Sequence, residues 1–346
     1  MGNGIVRRPA VPPPVRIRRD VAKLSPTDPI LVFYERAIAQ MQAGNRLDLR
    51  LSWRYQAAIH DYPLNPIIGG IDVRPPPAGR RADPNASATD TFPGDQDDLW
   101  ALCEHDSWFF LPWHRIYIHF FEKIVAKIVA DMPFGPKDWA LPYWNVTTTP
   151  LLPQPFRIPA DPVANRLFVT QRSASANAGR PFLDVDRFGN PDPSKPDTNL
   201  NCLRARTFKG DSPAFGGPVQ HRHGPGGGGT LEVTPHNPVH NNFGPGSFMA
   251  GTVTAALDPI FWLHHCNIDR LWEVWIQRQK QMRRLDRNPK DSDTDPDSAF
   301  WLDASFNFHD ENGAPASMTS RECMDTRQPP LSYEYEDISD PFKSAP

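Results

Sequence analysis

The stretch that decides the fold is DPIFWLHHCNIDR, which occupies residues 258–270. Its opening Asp-Pro pair is typical of the N-cap and first position of a helix, and we expect this helix to run through Trp275. Aromatic and aliphatic residues surround the adjacent histidines His264 and His265, which indicates that the helix is buried. A histidine in an apolar interior has to be hydrogen-bonded or bound to a metal, because an unsatisfied imidazole is costly there.

A second stretch, HDSWFFLPWHR at residues 105–115, has the same character. Its proline indicates a helix start, and apolar residues at helical spacing continue beyond it. His60 follows another expected helix, near residues 51–59. His236 and His240 are four residues apart, the spacing that places two side chains on one helical face.

The eleven histidines divide by context, and six of them form two sets of three. The first set is His60, His105 and His114, and the second is His236 and His240 with one of the adjacent pair His264 and His265. Taken singly, each histidine is more often a hydrogen-bonded core residue, and one i,i+4 pair is a weak signal. Two matched sets in aromatic surroundings favour metal binding instead. Three neutral imidazoles per ion, without thiolate or carboxylate, suit copper or zinc.

The composition excludes several classes of protein. Of 346 residues 40 are proline, more than twice the usual level of about 5%, which predicts long irregular loops. The formal net charge of −3 gives no electrostatic reason to expect nucleic acid or an anionic membrane as a partner. Four scattered cysteines are too few for a disulfide scaffold. The sequence has no run of transmembrane length and no recognisable signal peptide, so the default expectation is a cytoplasmic location.

The expected fold is mainly α: a four-helix bundle with functional side chains projecting inward, wrapped in long proline-rich loops. Residues 1–25 are expected to form an extended basic arm, and the Asp-Pro pair at 28–29 indicates the start of a helix that ends near Gly44. Three further segments are expected to lack long helices: residues 63–98, 148–230 and 283–346. We expect residues 1–346 to form a single domain.

These runs make the chain similar to the tyrosinase and catechol oxidase family of type-3 dicopper proteins. Residues 105–115, extended to Glu122, resemble the family's first copper signature, and residues 258–269 resemble the second. The Tyr-Glu-Tyr run at 333–335 resembles the motif that closes the catalytic domain in plant and fungal members. The resemblance implies a tyrosinase-like central domain, and we expect no C-terminal shielding domain after it.

The resemblance also implies two copper ions per chain and O2 as the co-substrate. Of the adjacent histidines, His265 is assigned as a ligand because it lies four residues before Asp269. The spacing of Cys103 and His105 resembles that of members in which a thioether bond joins a cysteine to a copper ligand. By position, the first copper would be held by His60, His105 and His114 and the second by His236, His240 and His265.

Further residues near these ligands are candidates for substrate chemistry. In members that hydroxylate monophenols, a glutamate and an asparagine at the positions of Glu232 and Asn237 are proposed to hold a water that takes the phenol proton. Physically, such a pair is a general base near the metal. Asp269 is placed to accept a hydrogen bond from a metal-bound histidine or to pair with Arg270.

Two residues bear on substrate access. Thr252 falls where the family places a residue over the second copper, and its small side chain would leave the site open. Asn241 follows His240 and offers no charge to anchor a carboxylated substrate.

We therefore expect a tyrosinase, which hydroxylates small monophenols at the ortho position and oxidises o-diphenols to o-quinones. An oxidase of catechols or o-aminophenols without useful hydroxylase activity would share all six ligands. A haemocyanin-like oxygen carrier and a dizinc hydrolase are the alternatives from other classes. Whether a separate chaperone loads the copper and which oligomer forms stay open.

Overall fold

The computed structural model describes residues 14–44, 49–61, 67–68, 71–72, 99–100, 102–186, 190–195, 197–210, 214–281 and 296–343. In chain order its α-helices are α1 (Pro29–Ala43), α2 (Trp53–His60), α3 (Phe110–Asp131), α4 (Ala174–Asn177), α5 (Asn237–Asn242), α6 (Thr252–Ala255), α7 (Pro259–Gln281) and α8 (Pro296–Leu302). None of these helices has the length and apolar character needed to span a bilayer.

Three two-stranded sheets accompany the helices of the described chain. Strand β1 (Arg16–Arg18) pairs in parallel with β6 (Tyr333–Tyr335), so the two ends of the described chain meet. The antiparallel pairs are β2 (Ile67–Ile68) with β3 (Ile71–Asp72), and β4 (Ser305–His309) with β5 (Pro315–Thr319). The protein is therefore mainly helical, as predicted.

The two helix starts predicted from Asp-Pro pairs are confirmed. The carboxylate of Asp28 accepts a hydrogen bond from the main-chain N–H of Ile30 at 2.9 Å, and α1 begins at Pro29. In the same way, Asp258 accepts from the N–H of Ile260 at 3.1 Å. These caps satisfy N–H groups that have no partner within the helix, which is why Asp is favoured there.

The long helices α3 and α7 pack against each other and form the centre of the molecule. Between them the ring of Phe121 stacks on that of Trp262, with centroids 3.4 Å apart and planes 10° apart. Helix α1 packs against α3 and against α2. The hydroxyl of Tyr34 donates to the carbonyl of Pro259 at 3.0 Å, so α1 also holds the start of α7.

Several details differ from the prediction. Helix α3 begins at Phe110, two residues before the proline that was expected at its start, and α7 continues to Gln281. The tail was expected to lack helix signals, yet its described part contains α8 and the β4–β5 hairpin. Most of the arm and of residues 63–98 lie outside the described residues. A regular four-helix bundle and proline-rich loops stay predictions.

Candidate metal centre

Two clusters of potential metal ligands lie side by side in the core. Within each cluster one ligand atom from each residue lies within 4.8 Å of the others. The first cluster comprises His60, Cys103, His105 and His114, and the second comprises His236, His240, His264 and His265. The rings of His114 and His265 stack with centroids 4.4 Å and planes 6° apart, so the clusters adjoin between α3 and α7. All six predicted histidines therefore meet in one place.

The orientation of the rings is fixed by hydrogen bonds from Nδ1. In three rings Nδ1 contacts a main-chain carbonyl at 2.6–2.8 Å: His60 contacts Thr252, His114 contacts Phe110, and His240 contacts Met249. In a fourth ring, the Nδ1 of His236 contacts the side-chain oxygen of Asn237 at 2.8 Å. When Nδ1 carries the proton and donates it to an oxygen, Nε2 is left with a lone pair, as a metal ligand requires.

Several ring nitrogens in the two clusters lack ordinary hydrogen-bond partners. The Nε2 atoms of His60 and His236 are buried and have no hydrogen bond in the described structure. That of His240, whose Nδ1 contacts a carbonyl, lies 3.3 Å from Nε2 of His265. Burial lowers the pKa of His60 to about 3 and that of His240 to about 4, so both rings are neutral at pH 7. Neutral nitrogens that converge without partners fit a metal such as copper.

The adjacent histidine, His264, belongs to the second cluster, which sequence reasoning did not anticipate. It is fully buried, and both of its ring nitrogens lack a hydrogen bond in the described structure. Its ring centroid lies 4.9 Å from that of His240. His265 is the member of the pair that stacks on His114 of the first cluster, so only its ring faces both clusters.

Cys103 contacts two histidines rather than one. Its Sγ lies 3.3 Å from Nδ1 of His105, which is the neighbour that their spacing predicts, and also 3.3 Å from Nε2 of His114. Burial raises the pKa of the Cys103 thiol well above its ordinary value, so the thiol is protonated at neutral pH. The second contact depends on how α3 packs, and no local pattern could have predicted it.

A cavity of about 260 Å³ is lined by histidines of both clusters. All four residues that were predicted to serve substrate chemistry or access also line it: Glu232, Asn237, Asn241 and Thr252. A cavity of this size, with polar groups converging beside candidate metal ligands, is a suitable place for a small aromatic substrate.

The carboxylate of Glu232 is buried beside this cavity. Its Oε1 accepts a hydrogen bond from the main-chain N–H of Asp106 at 2.7 Å, whereas its Oε2 has no partner in the described structure. Burial raises the pKa of Glu232 to about 8, and the negative charge of Asp106 adds to the shift. A bound cation would oppose this shift, since nearby positive charge favours the carboxylate.

Thr252 lies at the cavity, whose lining includes His236 and His240 of the second cluster. Its carbonyl contacts the ring of His60, in the first cluster, and its hydroxyl donates to Asp61 at 2.7 Å. Helix α6, which begins at Thr252, thus packs on the end of α2 in a contact across 192 positions, and the position of Thr252 over the second copper stays a prediction. Asn241 is exposed at the cavity, as its predicted role in access requires.

Asp269 does not have either of its expected partners. Among the described residues its hydrogen bonds go to Arg18, Arg115, Tyr333 and Tyr335. Arg270 instead donates to the side chain of Asn267 and to the carbonyl of Asp337. The prediction is wrong because a buried carboxylate is better stabilised by two guanidinium groups than by one neutral imidazole.

The chain is similar to proteins of one family over most of its length. A model of the common central domain of tyrosinase matches residues 50–278, and a model of the polyphenol oxidase middle domain matches residues 293–345. A tyrosinase from Hahella sp. is 33% identical over 333 residues, which are 93% of this chain and 63% of that protein. A chloroplastic polyphenol oxidase from Malus domestica is 34% identical over 257 residues, which are 70% of this chain and 39% of that protein.

Solved structures agree with these matches. The structure of latent apple tyrosinase is 28% identical, with a TM-score of 0.64, and covers 95% of this chain and 64% of its own. That of Grenache (Vitis vinifera) polyphenol oxidase is also 28% identical, with a TM-score of 0.62, and covers 98% of this chain and 90% of its own. The chain thus spans less than two thirds of the length of several of the proteins it matches.

The fold and the histidine centre define a type-3 dicopper protein, in which two copper ions and O2 act together. The chain belongs to the tyrosinase and polyphenol oxidase family, whose members oxidise phenols. Its two histidine clusters fit the two copper sites of that family. Membership of this family argues against the alternative that the protein is a dizinc hydrolase.

The comparisons also correct the expected location. The polyphenol oxidases of Malus domestica, Vitis vinifera and Solanum lycopersicum are described as chloroplastic. The prediction of a cytoplasmic location, which rested on the lack of a recognisable leader, is therefore wrong.

Proposed function

We propose that this protein is a dicopper enzyme that uses O2 to hydroxylate monophenols at the ortho position and to oxidise o-diphenols to o-quinones. Copper, when bound, supplies the activation of O2 and the redox chemistry. The proposed ligands are His60, His105 and His114 for the first ion and His236, His240 and His265 for the second. Support comes from the convergence of potential ligand atoms in each cluster and from the buried Nε2 atoms of His60 and His236, which have no hydrogen bond in the described structure.

The observation that carries the hydroxylase part of the proposal is the free oxygen of Glu232. This Oε2 is buried, has no hydrogen bond in the described structure and belongs to a residue that lines the cavity. A phenol entering the cavity has one proton to lose before its oxygen can bind a metal, and Oε2 would accept it. Asn237 contributes by orienting the ring of His236, whose Nδ1 contacts the side-chain oxygen of Asn237.

A second function, oxidation of catechols or o-aminophenols without hydroxylation, has its own support. The described hydrogen bonds of Glu232 and Asn237 go to Asp106 and His236, not to each other. A water shared between the two side chains is therefore not required by the contacts present. The two functions differ in whether Glu232 receives the phenol proton.

Oxygen uptake by the copper-loaded protein separates these functions. The assay compares a simple monophenol with the matching catechol, in the wild type, in Glu232→Gln and in the control Glu322→Gln, which changes an exposed glutamate. We expect Glu232→Gln to lower kcat on the monophenol by about 100-fold or more, as loss of a general base does, and to leave catechol oxidation close to wild type.

Each other outcome has a definite meaning. Uptake with catechol alone in the wild type would make the protein a catechol or o-aminophenol oxidase. Uptake with neither substrate at full copper content would favour an oxygen carrier.

The contact between Cys103 and His105 supports a thioether bond, which we propose forms in the copper-loaded protein. The thiol and one ring C–H would each lose a hydrogen, with O2 as the oxidant. The intact mass would then be lower by two hydrogens than that of the copper-free chain, and Cys103→Ser would abolish the difference. An unchanged mass after exposure to copper and O2 would reject the bond.

A further inference from the structure

The carboxylate of Glu232 is held from one side by the backbone of Asp106. Asp106 has φ 49°, in the left-handed region that Asp tolerates better than most residues. Its N–H donates to Oε1 of Glu232 at 2.7 Å, while its carbonyl accepts from the N–H of Gly224 at 3.1 Å. A single residue thus connects the proposed proton acceptor to the glycine run at 224–229.

At Gly227 this glycine-rich run packs so closely on the backbone of Asp106 that a side chain is excluded. A Cβ on Gly227 would lie 2.0 Å from the carbonyl oxygen of Asp106, a distance that no real Cβ can adopt. The backbone at Gly227 therefore lies directly against the backbone of Asp106.

Gly228 differs from its neighbours because it faces two carboxylates instead of backbone. A Cβ at this position would lie 3.0 Å from Oε2 of Glu232 and 3.0 Å from Oδ1 of Asp106. Its backbone does not have a positive φ, so alanine is compatible with the conformation of the chain. The added methyl group would press on the Glu232 oxygen that has no partner, and only side-chain atoms would have to move.

We propose that Gly228, together with the N–H of Asp106, is a positioning element that keeps Oε2 of Glu232 free and turned to the cavity, and that it thereby sets how much of the activity is monophenol hydroxylation. The N–H selects which oxygen is held. The missing side chain at 228 leaves the other oxygen room to receive a proton. This inference rests on the proposed role of Glu232 as the proton acceptor.

The test is a double-mutant cycle on copper-loaded protein with Gly228→Ala, Glu232→Gln and both together. A displaced acceptor should lower kcat on a monophenol about tenfold or more, with copper content, catechol turnover and the KM for catechol unchanged. In the Glu232→Gln background, Gly228→Ala should cause no further loss. Gly44→Ala is the matched control, because its Cβ would meet only a methyl group of Leu49 at 3.4 Å.

A second readout needs neither copper nor turnover. In copper-free protein labelled with carbon-13 at the glutamate carboxyls, the Glu232 resonance is identified by its absence in Glu232→Gln. It should shift in Gly228→Ala and stay in place in Gly44→Ala. A resonance that does not move in Gly228→Ala would overturn the inference, since the methyl group would then not reach the carboxylate.

The two proposals fail in distinguishable ways. If Glu232→Gln lowers the ratio of monophenol to catechol turnover and Gly228→Ala does not, only the role of Gly228 is overturned. If Glu232→Gln leaves that ratio unchanged, Glu232 is not the acceptor and both proposals are overturned. Equal losses on monophenol and catechol in Gly228→Ala would indicate damage to the metal centre and would also reject the positioning role.

Discussion

Helices α3 and α7 each carry two kinds of buried polar group, and the protein treats the two kinds differently. On α3, His114 is followed directly by Arg115, and on α7, His265 is followed one turn later by Asp269. The histidines point to a place where ring nitrogens converge without hydrogen-bond partners. The arginine and the aspartate point to each other, with Nε and Oδ1 2.5 Å apart.

The charged region joins distant parts of the chain. Arg115 also bonds Glu273 at 2.7 Å, and Arg18 of β1 lies 2.8 Å from Glu122 and 3.3 Å from Asp269. The hydroxyls of β6, from Tyr333 and Tyr335, both donate to Asp269 at 2.5 Å. Each charge therefore has an opposite charge or a strong donor beside it, as burial demands.

The difference teaches how to separate a structural site from a binding site in one core. Arg115 and Asp269 satisfy each other, so this pair needs no added group. The histidine region is incomplete, because several of its buried ring nitrogens have no hydrogen bond in the described structure and converge as the ligands of an ion would. Three experiments can break or sharpen this contrast, in order of the size of their expected effect.

The largest effect is expected from Arg115→Ala. The change leaves the buried carboxylates of Asp269 and Glu273 without their main counter-charge, so we expect the free energy of unfolding to fall by about 3–5 kcal/mol. Urea denaturation of copper-free protein measures it. The control Arg321→Ala removes an exposed ion pair with Asp303 and should cost about 1 kcal/mol or less. Equal losses in the two variants would show that the charged region is not structural.

The next effect is on copper and not on folding. His240→Ala removes one donor of the second cluster, so we expect the loaded protein to retain about one copper per chain instead of two, as loss of one site from a dicopper centre predicts. In the copper-free protein, His240→Ala should lower the free energy of unfolding by much less than Arg115→Ala does, because it leaves no charge unpaired. Metal analysis after dialysis gives the copper content, and copper should raise the melting temperature less than in wild type.

His223→Ala is the control for this variant, since that histidine is exposed. Two coppers per chain in His240→Ala would contradict the proposed ligand set.

The smallest effect concerns pH. Glu232 has an ordinary pKa of 4.5, raised to about 8 by burial, so between these values the folded chain holds a proton that the unfolded chain has lost. Its contribution therefore makes the copper-free protein less stable as pH rises through this window. Glu232→Gln should remove this contribution to the pH dependence of the free energy of unfolding, which is at most roughly 1.4 kcal/mol per pH unit. Denaturation curves collected from pH 5 upward measure it, and parallel pH dependence in the two proteins would contradict the raised pKa.

The buried histidines affect stability in the opposite direction, at acidic pH. The pKa values of His60 and His240 lie at about 3 and 4, below the ordinary 6.5, so the unfolded chain binds protons first as pH falls. Copper-free protein should lose stability below about pH 6.5, the unperturbed histidine pKa, in both wild type and Glu232→Gln.

Much of the site could be predicted because its signals are local. Asp-Pro pairs mark the starts of α1 and α7, since a capping carboxylate and a proline act on the first turn alone. The two sets of histidines could be recognised because aromatic neighbours in sequence become neighbours in the core. The Cys103–His105 contact follows from alternation along an extended segment.

Other contacts could not be predicted because they join residues far apart in the chain. The carbonyl of Thr252 orients His60 across 192 positions, and the N–H of Asp106 orients Glu232 across 126. Asp106 lies in a loop and Thr252 begins the four-residue helix α6, and neither segment is long enough to carry a periodic signal. The expected partners of Asp269 were wrong for the same reason: Arg18 and Tyr335 reach it from opposite ends of the described chain.

The sequence by itself determined which side chains could bind metal and which helices carry them, because helix caps, apolar periodicity and donor chemistry are properties of short segments. Only the tertiary structure decided which nitrogen of each ring is free, which oxygen of Glu232 has no partner, and which charges neutralise Asp269. These depend on loops and strands that pack from a distance. In a core without water, such contacts decide whether the protein supplies a partner for a buried polar group or leaves the group available to a ligand.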